Sequence, residues 1–315
     1  MGQIDRALHN GVRVSGWTFD ECYGRDGRFL DGFEARRQVF VGEIPNNFYG
    51  WVQKPKVLRS GPKKQGKGRR KQYPRLARRR PCCEVRNLFI YSPVFGKQSW
   101  QRYRIKDTDK GPEVWEVKWA EFWRKGEDRL PTRRHCLIVA RNVLTGEVKY
   151  FLSNRVPGER NPVTGEWITL RWLLRVAFGR CSIESCFRQG KEELGLDHYE
   201  VRGWRCIHRH FYVTQLSHLF CARMRQQYDD PSGNSLDRIT VEQVLSAVNV
   251  WLTTADLPSS SRRQRFQEEL EKQRYYQQRN KQARKSHTKT RIKRLSSLGI
   301  DVDKIKSCLP NAQAP

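Results

Sequence analysis

Arg180, Glu184 and Lys191, within the run RCSIESCFRQGKEELGLDHYEVRGW, carry the first chemical signal in this chain. On a helix, offsets of four and eleven residues at about 100° each bring the three side chains within roughly 40° of one face. A carboxylate between two cations can ligate a metal ion beside groups that grip phosphate. The same stripe can be an ordinary ion-paired surface, since an i,i+4 Arg–Glu pair supports a helix by only about 0.2–0.5 kcal/mol. A second carboxylate, Asp20, follows the apolar-patterned run Val12–Phe19. Hard divalent cations such as Mg²⁺ take oxygen ligands, and phosphodiester cleavage uses them to activate water and hold the leaving oxygen. A strand-end turn or helix N-cap is the plainer use of such an Asp. Glu21 competes with it, although it would point to the other side of a strand.

These residues need elements to hold them. Residues 3–9 read as the end of a helix stopped at Gly11. The run 12–19 alternates as a strand, 28–37 as an amphipathic helix, and 38–44 as a second apolar strand closed by Pro45. Strand, helix, strand with short links is a βαβ unit, which places the two strands in parallel and Asp20 at the C-terminal end of the first. Further strands are expected at Val85–Tyr91, Val114–Trp119, Cys136–Ala140 and Val148–Leu152, the last two joined by a hairpin turn. A long helix or helix pair then spans 167–194 and stops at Gly195. Apolar helices follow at about 207–225 and 240–252, and a polar, basic one at 262–285.

Composition narrows the partner. Lys and Arg number 61 against 33 Asp and Glu, a net charge of +28 that points to a polyanion, with nucleic acid first and an anionic membrane surface second. Residues 53–82 hold thirteen of these cations with no acid between them, broken by Gly and Pro. This segment reads as a mobile basic loop suited to sequence-independent phosphate contact. No stretch is apolar enough to span a membrane, and MGQIDRALHNGVRV has no secretory apolar core. Nine scattered Cys fit reduced cytoplasmic thiols. Cys206, His208 and His210 have alternating spacing, but their local pattern is helical, where i and i+2 do not share a face.

The Arg-(3)-Glu-(6)-Lys spacing at 180, 184 and 191 resembles the Y-(2)-R-(3)-E-(6)-K signature of insertion-sequence transposases of the DDE (Asp-Asp-Glu, RNase H-like) superfamily. The runs 183–187, 191–204 and 208–210 resemble the C-terminal catalytic segment of one branch. Trp17–Gly24 resembles the segment that carries the second catalytic Asp. The resemblance covers roughly residues 1–225. It implies an α/β fold: an incomplete RNase H-like catalytic core, a largely β insertion, and a helical basic C-terminal tail. The implied division is 1–50 for part of the core, 51–84 for the basic loop, 85–160 for the insertion, 161–257 for the helical part with Glu184, and 258–315 for the tail. Asp20 and Glu184 would then ligate Mg²⁺ or Mn²⁺, and Arg180 and Lys191 would bind phosphates. The chemistry implied is DNA strand hydrolysis and transfer by a nucleoid-associated cytoplasmic enzyme acting as a homodimer in a synaptic complex.

Two features depart from that pattern. The signature Tyr falls at Ala177. Only Asp5 precedes Asp20, fifteen residues earlier and on the opening helix. The expectation is therefore the C-terminal part of a transposase that lacks its first catalytic Asp and is inactive by itself. The alternative is a non-catalytic basic nucleic-acid-binding protein.

Overall fold

The run Cys136–Ala140 has no polar face, which suits a strand covered on both sides. The computed structural model describes residues 1–59, 73–77, 82–228 and 239–308. It divides into two compact units, residues 1–180 with 291–315, and residues 181–290. The first unit begins with α1 (Gly2–His9), α2 (Glu21–Gly24) and α3 (Gly27–Ala35), then β1 (Val41–Ile44) and β2 (Tyr49–Trp51). Short pieces follow: β3 (Val57–Leu58), β4 (Arg75–Leu76), β5 (Cys83–Glu84), α4 (Val85–Tyr91) and α5 (Pro93–Gly96). Its long strands are β6 (Gln101–Thr108), β7 (Gly111–Lys125), β8 (Pro131–Asn142) and β9 (Val148–Ser153), and α6 (Leu170–Gly179) comes next. The second unit holds α7 (Cys181–Leu194), α8 (Trp204–Tyr228), α9 (Val241–Thr253) and most of α10 (Ser259–Ser297). After α10, the short β10 (Lys306–Ser307) belongs to the first unit.

Eight of the strands form one mixed sheet in the order β1-β9-β8-β7-β2-β5, with β6 paired to both β7 and β10, and β3 and β4 form a separate pair. Strand period two divides its side chains between two cores. Trp115, Val117, Cys136, Ile138 and Ala140 face a cluster closed by Leu170, Leu173, Leu174 and Ala177 of α6. Ala120, Phe122, Leu137 and Val139 face a cluster with Phe19, Leu30, Phe33, Val85 and Phe95. The protein is therefore mixed α/β with a helical C-terminal region. Strands from the expected core segment and the expected insertion join in this sheet, since β1 runs antiparallel to β9 with Val41 opposite Ser153.

Several expectations meet their elements. Gly11 ends α1 with φ +77, and α6 and α7 form the helix pair, stopped by Gly195 at φ +66. The hairpin of β8 and β9 also forms. Val85–Tyr91 is a helix, not the expected strand. Val85, Leu88 and Phe89 recur at helical spacing toward the second core, and Ile90 and Tyr91 face out. The strand β6 gives little strand signal in the sequence, because Tyr103 and Ile105 alternate with Arg102, Arg104 and Lys106, a buried period of two inside a cationic run. Of the expected loop, residues 60–72 and 78–81 lie outside the described residues. Its described parts pair as β3 with β4. Among the described residues, no helix is long and apolar enough to cross a membrane.

His135 is 1% exposed, its Nδ1 lies 2.8 Å from the Arg133 carbonyl, and its Nε2 has no hydrogen-bond partner among the described residues. Burial lowers its pKa to about 4, with Arg124 and Arg155 opposing its charge and Asp31 favouring it. A depressed histidine pKa gives stability that is present above its unfolded value near 6.5 and is lost as pH falls toward 4. Glu34, which burial shifts upward, acts in the opposite direction. In a Glu34→Gln background, urea unfolding is expected to show about 2 kcal/mol less stability at pH 5 than at pH 7, and His135→Phe is expected to remove most of that difference.

Gly24 packs α2 against β1 so closely that a Cβ there would run into the Glu43 carbonyl. Gly24→Ala is expected to cost about 1–3 kcal/mol in chemical unfolding, because backbone must move to admit the methyl group.

Candidate functional site

Asp20 takes its place from a short parallel pairing. The Trp17 N–H donates to the Val39 carbonyl at 2.8 Å, the Val41 N–H to Trp17 at 2.8 Å, and the Glu43 N–H to Phe19 at 3.0 Å. The expected strand over residues 12–19 reduces to this end, with an isolated parallel bridge from Trp17 to Phe40. Phe19 and Phe40 anchor the pairing in the second core, where their rings lie 5.5 Å apart. Asp20 is the next residue, with extended backbone, and it caps α2. Its Oδ1 accepts from the Cys22 N–H at 3.1 Å and the Tyr23 N–H at 3.3 Å. The plainer use of Asp20 as a helix cap is thus present, at the end of a parallel pair.

A cavity of about 680 Å³ lies beside this edge, lined by Glu21, Arg25, Glu43 and Lys149 among others. Lys149 Nζ sits 3.1 Å from Glu43, so two acids and two bases share the opening. Glu21, the competing carboxylate, lines this cavity. Glu43 and Lys149 belong to no motif in the sequence. The available signal was their polarity within otherwise apolar strands.

Arg180 has helical backbone at φ −55 and ψ −36, so α6 and α7 follow each other almost without a break. Glu184 lies in the first turn of α7 and Lys191 in the last, both exposed. Their offset of seven residues returns to one helix face within about 20°. Asp20 belongs to the first unit, and Glu184 and Lys191 belong to the second. Among the described residues, no group of three or more His, Cys, Asp or Glu side chains is arranged to hold a metal ion. Asp20 and Glu184 remain oxygen donors of the type a hard divalent ion takes.

Within the second unit, α8 packs on α7 through polar contacts. His218 lies 3.2 Å from Gln189 and 3.7 Å from the Cys186 sulfur, and His210 lies 2.9 Å from the Gly195 carbonyl. Glu193, partly buried at the same seam, has its carboxyl shifted upward by desolvation. Cys206, His208 and His210 sit on successive parts of α8. His208 contacts the Trp204 ring, while His210 turns to Gly195. They do not converge, as their helical spacing requires. No protein-family model matches the chain, and no curated protein matches its sequence.

Proposed function

We propose that the chain contributes to DNA transposition by the DDE route: metal-dependent strand cleavage followed by strand transfer, on an RNase H-like core. The observation that carries this reading is Asp20 at the C-terminal end of the parallel pairing of residues 17–19 with 39–43. In open, mostly parallel sheets that edge is where ligands bind; here it is formed by this short pairing alone, since β1 and β9 beside it run antiparallel. Asp20 and Glu184 would ligate Mg²⁺ or Mn²⁺, which when bound supplies an activated water and charge neutralisation at the leaving oxygen. Arg180, with a planar fork, and Lys191, with a point charge, would hold phosphate oxygens near the scissile bond. The homodimer of a synaptic complex and a nucleoid location belong to the same proposal.

Asp20 is also a cap, so its substitutions must separate two roles. Asn caps helices about as well as Asp, whereas Ala costs about 1 kcal/mol. Asp20→Asn is therefore expected to keep the thermal stability of the parent and, in a reaction supplied with the missing first catalytic Asp on a co-expressed N-terminal transposase segment, to lose Mg²⁺-dependent nicking of supercoiled plasmid. Glu184→Gln should lose the same activity. Nicking that persists undiminished in both variants rules the metal-nuclease reading out.

A second reading, a non-catalytic basic nucleic-acid-binding protein, is favoured by α10. This helix of 39 residues carries thirteen Lys and Arg against three Glu, and among its residues Leu295 alone is buried. Such a surface binds phosphate by counterion release, with a steep salt dependence and no need for metal. Replacing Arg274, Arg279, Lys285 and Lys289 by Gln is expected to flatten the slope of log affinity against log salt by up to about 3.5 for duplex DNA. An unchanged slope removes α10 from the interface.

A further inference from the structure

We propose that the exposed face at the start of α8 is a stacking platform for unpaired bases of a nucleic acid. This rests on the nucleic-acid reading above but requires neither metal nor cleavage. Trp204, His208 and Tyr212 recur every four residues, so successive rings advance by about 40° around the helix. Their ring centroids lie 4.1 Å and 6.0 Å apart, a short ladder of aromatic surfaces along one side. Trp204 is 74% exposed and Tyr212 60%, exposures at which a large ring gains little from its own fold.

The rings are not a misplaced core stripe. The residues α8 buries are Thr214 and Cys221, which lie about 120° and 140° around the helix from His208 at the middle of the ring line. On the ring side, Arg205 and Arg209 follow the aromatic line within about another 60°, both exposed, with Arg202 just before the helix. No Asp or Glu occurs anywhere in Trp204–Tyr228. Flat apolar surfaces beside cations with no acid suit a polyanion whose bases are free to stack. A paired duplex keeps its base faces against one another, while a single strand offers them. Leu216, Leu219 and Phe220 extend the exposed face toward the helix end, so a protein occupant is the competing outcome. Arg202, Arg205 and Arg209 beside the rings, with no acid anywhere in the helix, favour nucleic acid.

The test is fluorescence anisotropy of one labelled oligonucleotide, single-stranded and as its duplex, with the full chain at fixed salt. Trp204→Ala and Tyr212→Ala are each expected to weaken single-strand binding at least about fivefold, with duplex binding changed less than about twofold. Trp204→Phe should restore most of the loss, because the ring face is what matters. Tryptophan emission quenched by the single strand should lose part of that quenching in Trp204→Ala. Both side chains are exposed, so far-UV circular dichroism should match the parent. Unchanged single-strand affinity in Trp204→Ala, or equal loss for both nucleic-acid forms, overturns the platform. A parent that binds duplex but not single strand overturns it and leaves the nucleic-acid reading standing, whereas one that binds neither overturns both. A self-associated parent that Trp204→Ala dissociates, with single-strand affinity unchanged, makes this face an interface between copies and overturns the proposal.

Discussion

Burial of both faces of the β7–β8–β9 ladder is the constraint on which the first unit depends. Leu137, Ile138, Val139 and Ala140 are each fully buried, alternating between two hydrophobic clusters. A strand with no solvent face needs a layer on either side. α6 supplies one, and the aromatic group around Phe19, Phe33 and Phe40 supplies the other. β1 is fixed by pairing along β9, and the segment before Asp20 is fixed by pairing along β1. The position of Asp20 is thus a third-order result of sheet burial, passed on through backbone hydrogen bonds.

That chain of dependence explains which parts were legible. Long apolar runs and helices with i,i+3,i+4,i+7 spacing declared themselves, as in Leu170, Leu173, Leu174 and Ala177. The stops at Gly11 and Gly195 were readable because each takes the left-handed backbone that glycine favours. Short elements were not. VRNLFIY holds strand-like composition and helical spacing together, and only the core it meets selects the helix. β6 was hidden because its outward positions are so cationic that average polarity outweighed the alternation.

The candidate site was legible in residue type and local placement. Asp20 lies at the end of an extended run and Glu184 and Lys191 share a helix face, as their spacing required. Its electrostatic surroundings were not legible, because they come from residues far apart in sequence. Glu43 meets Lys149 across 106 positions. Each is marked locally only as a polar residue within an apolar strand, which says nothing of its partner. The aromatic ladder of α8 was written in the sequence at i, i+4, i+8, but only exposure tells a platform from a core stripe.

The small residues that α8 buries have a consequence for the order in which the protein comes apart. A helix of 25 residues that buries only Thr214 and Cys221 keeps most of its side chains in water whether folded or open. Opening it exposes little new apolar surface, while opening β8 exposes a whole row of large side chains. Backbone amides in the two places should therefore exchange with solvent on very different clocks. Low burial predicts local opening for the segment that carries the Glu184 helix partner, and full burial predicts that the sheet anchoring Asp20 exchanges only with unfolding of the entire unit.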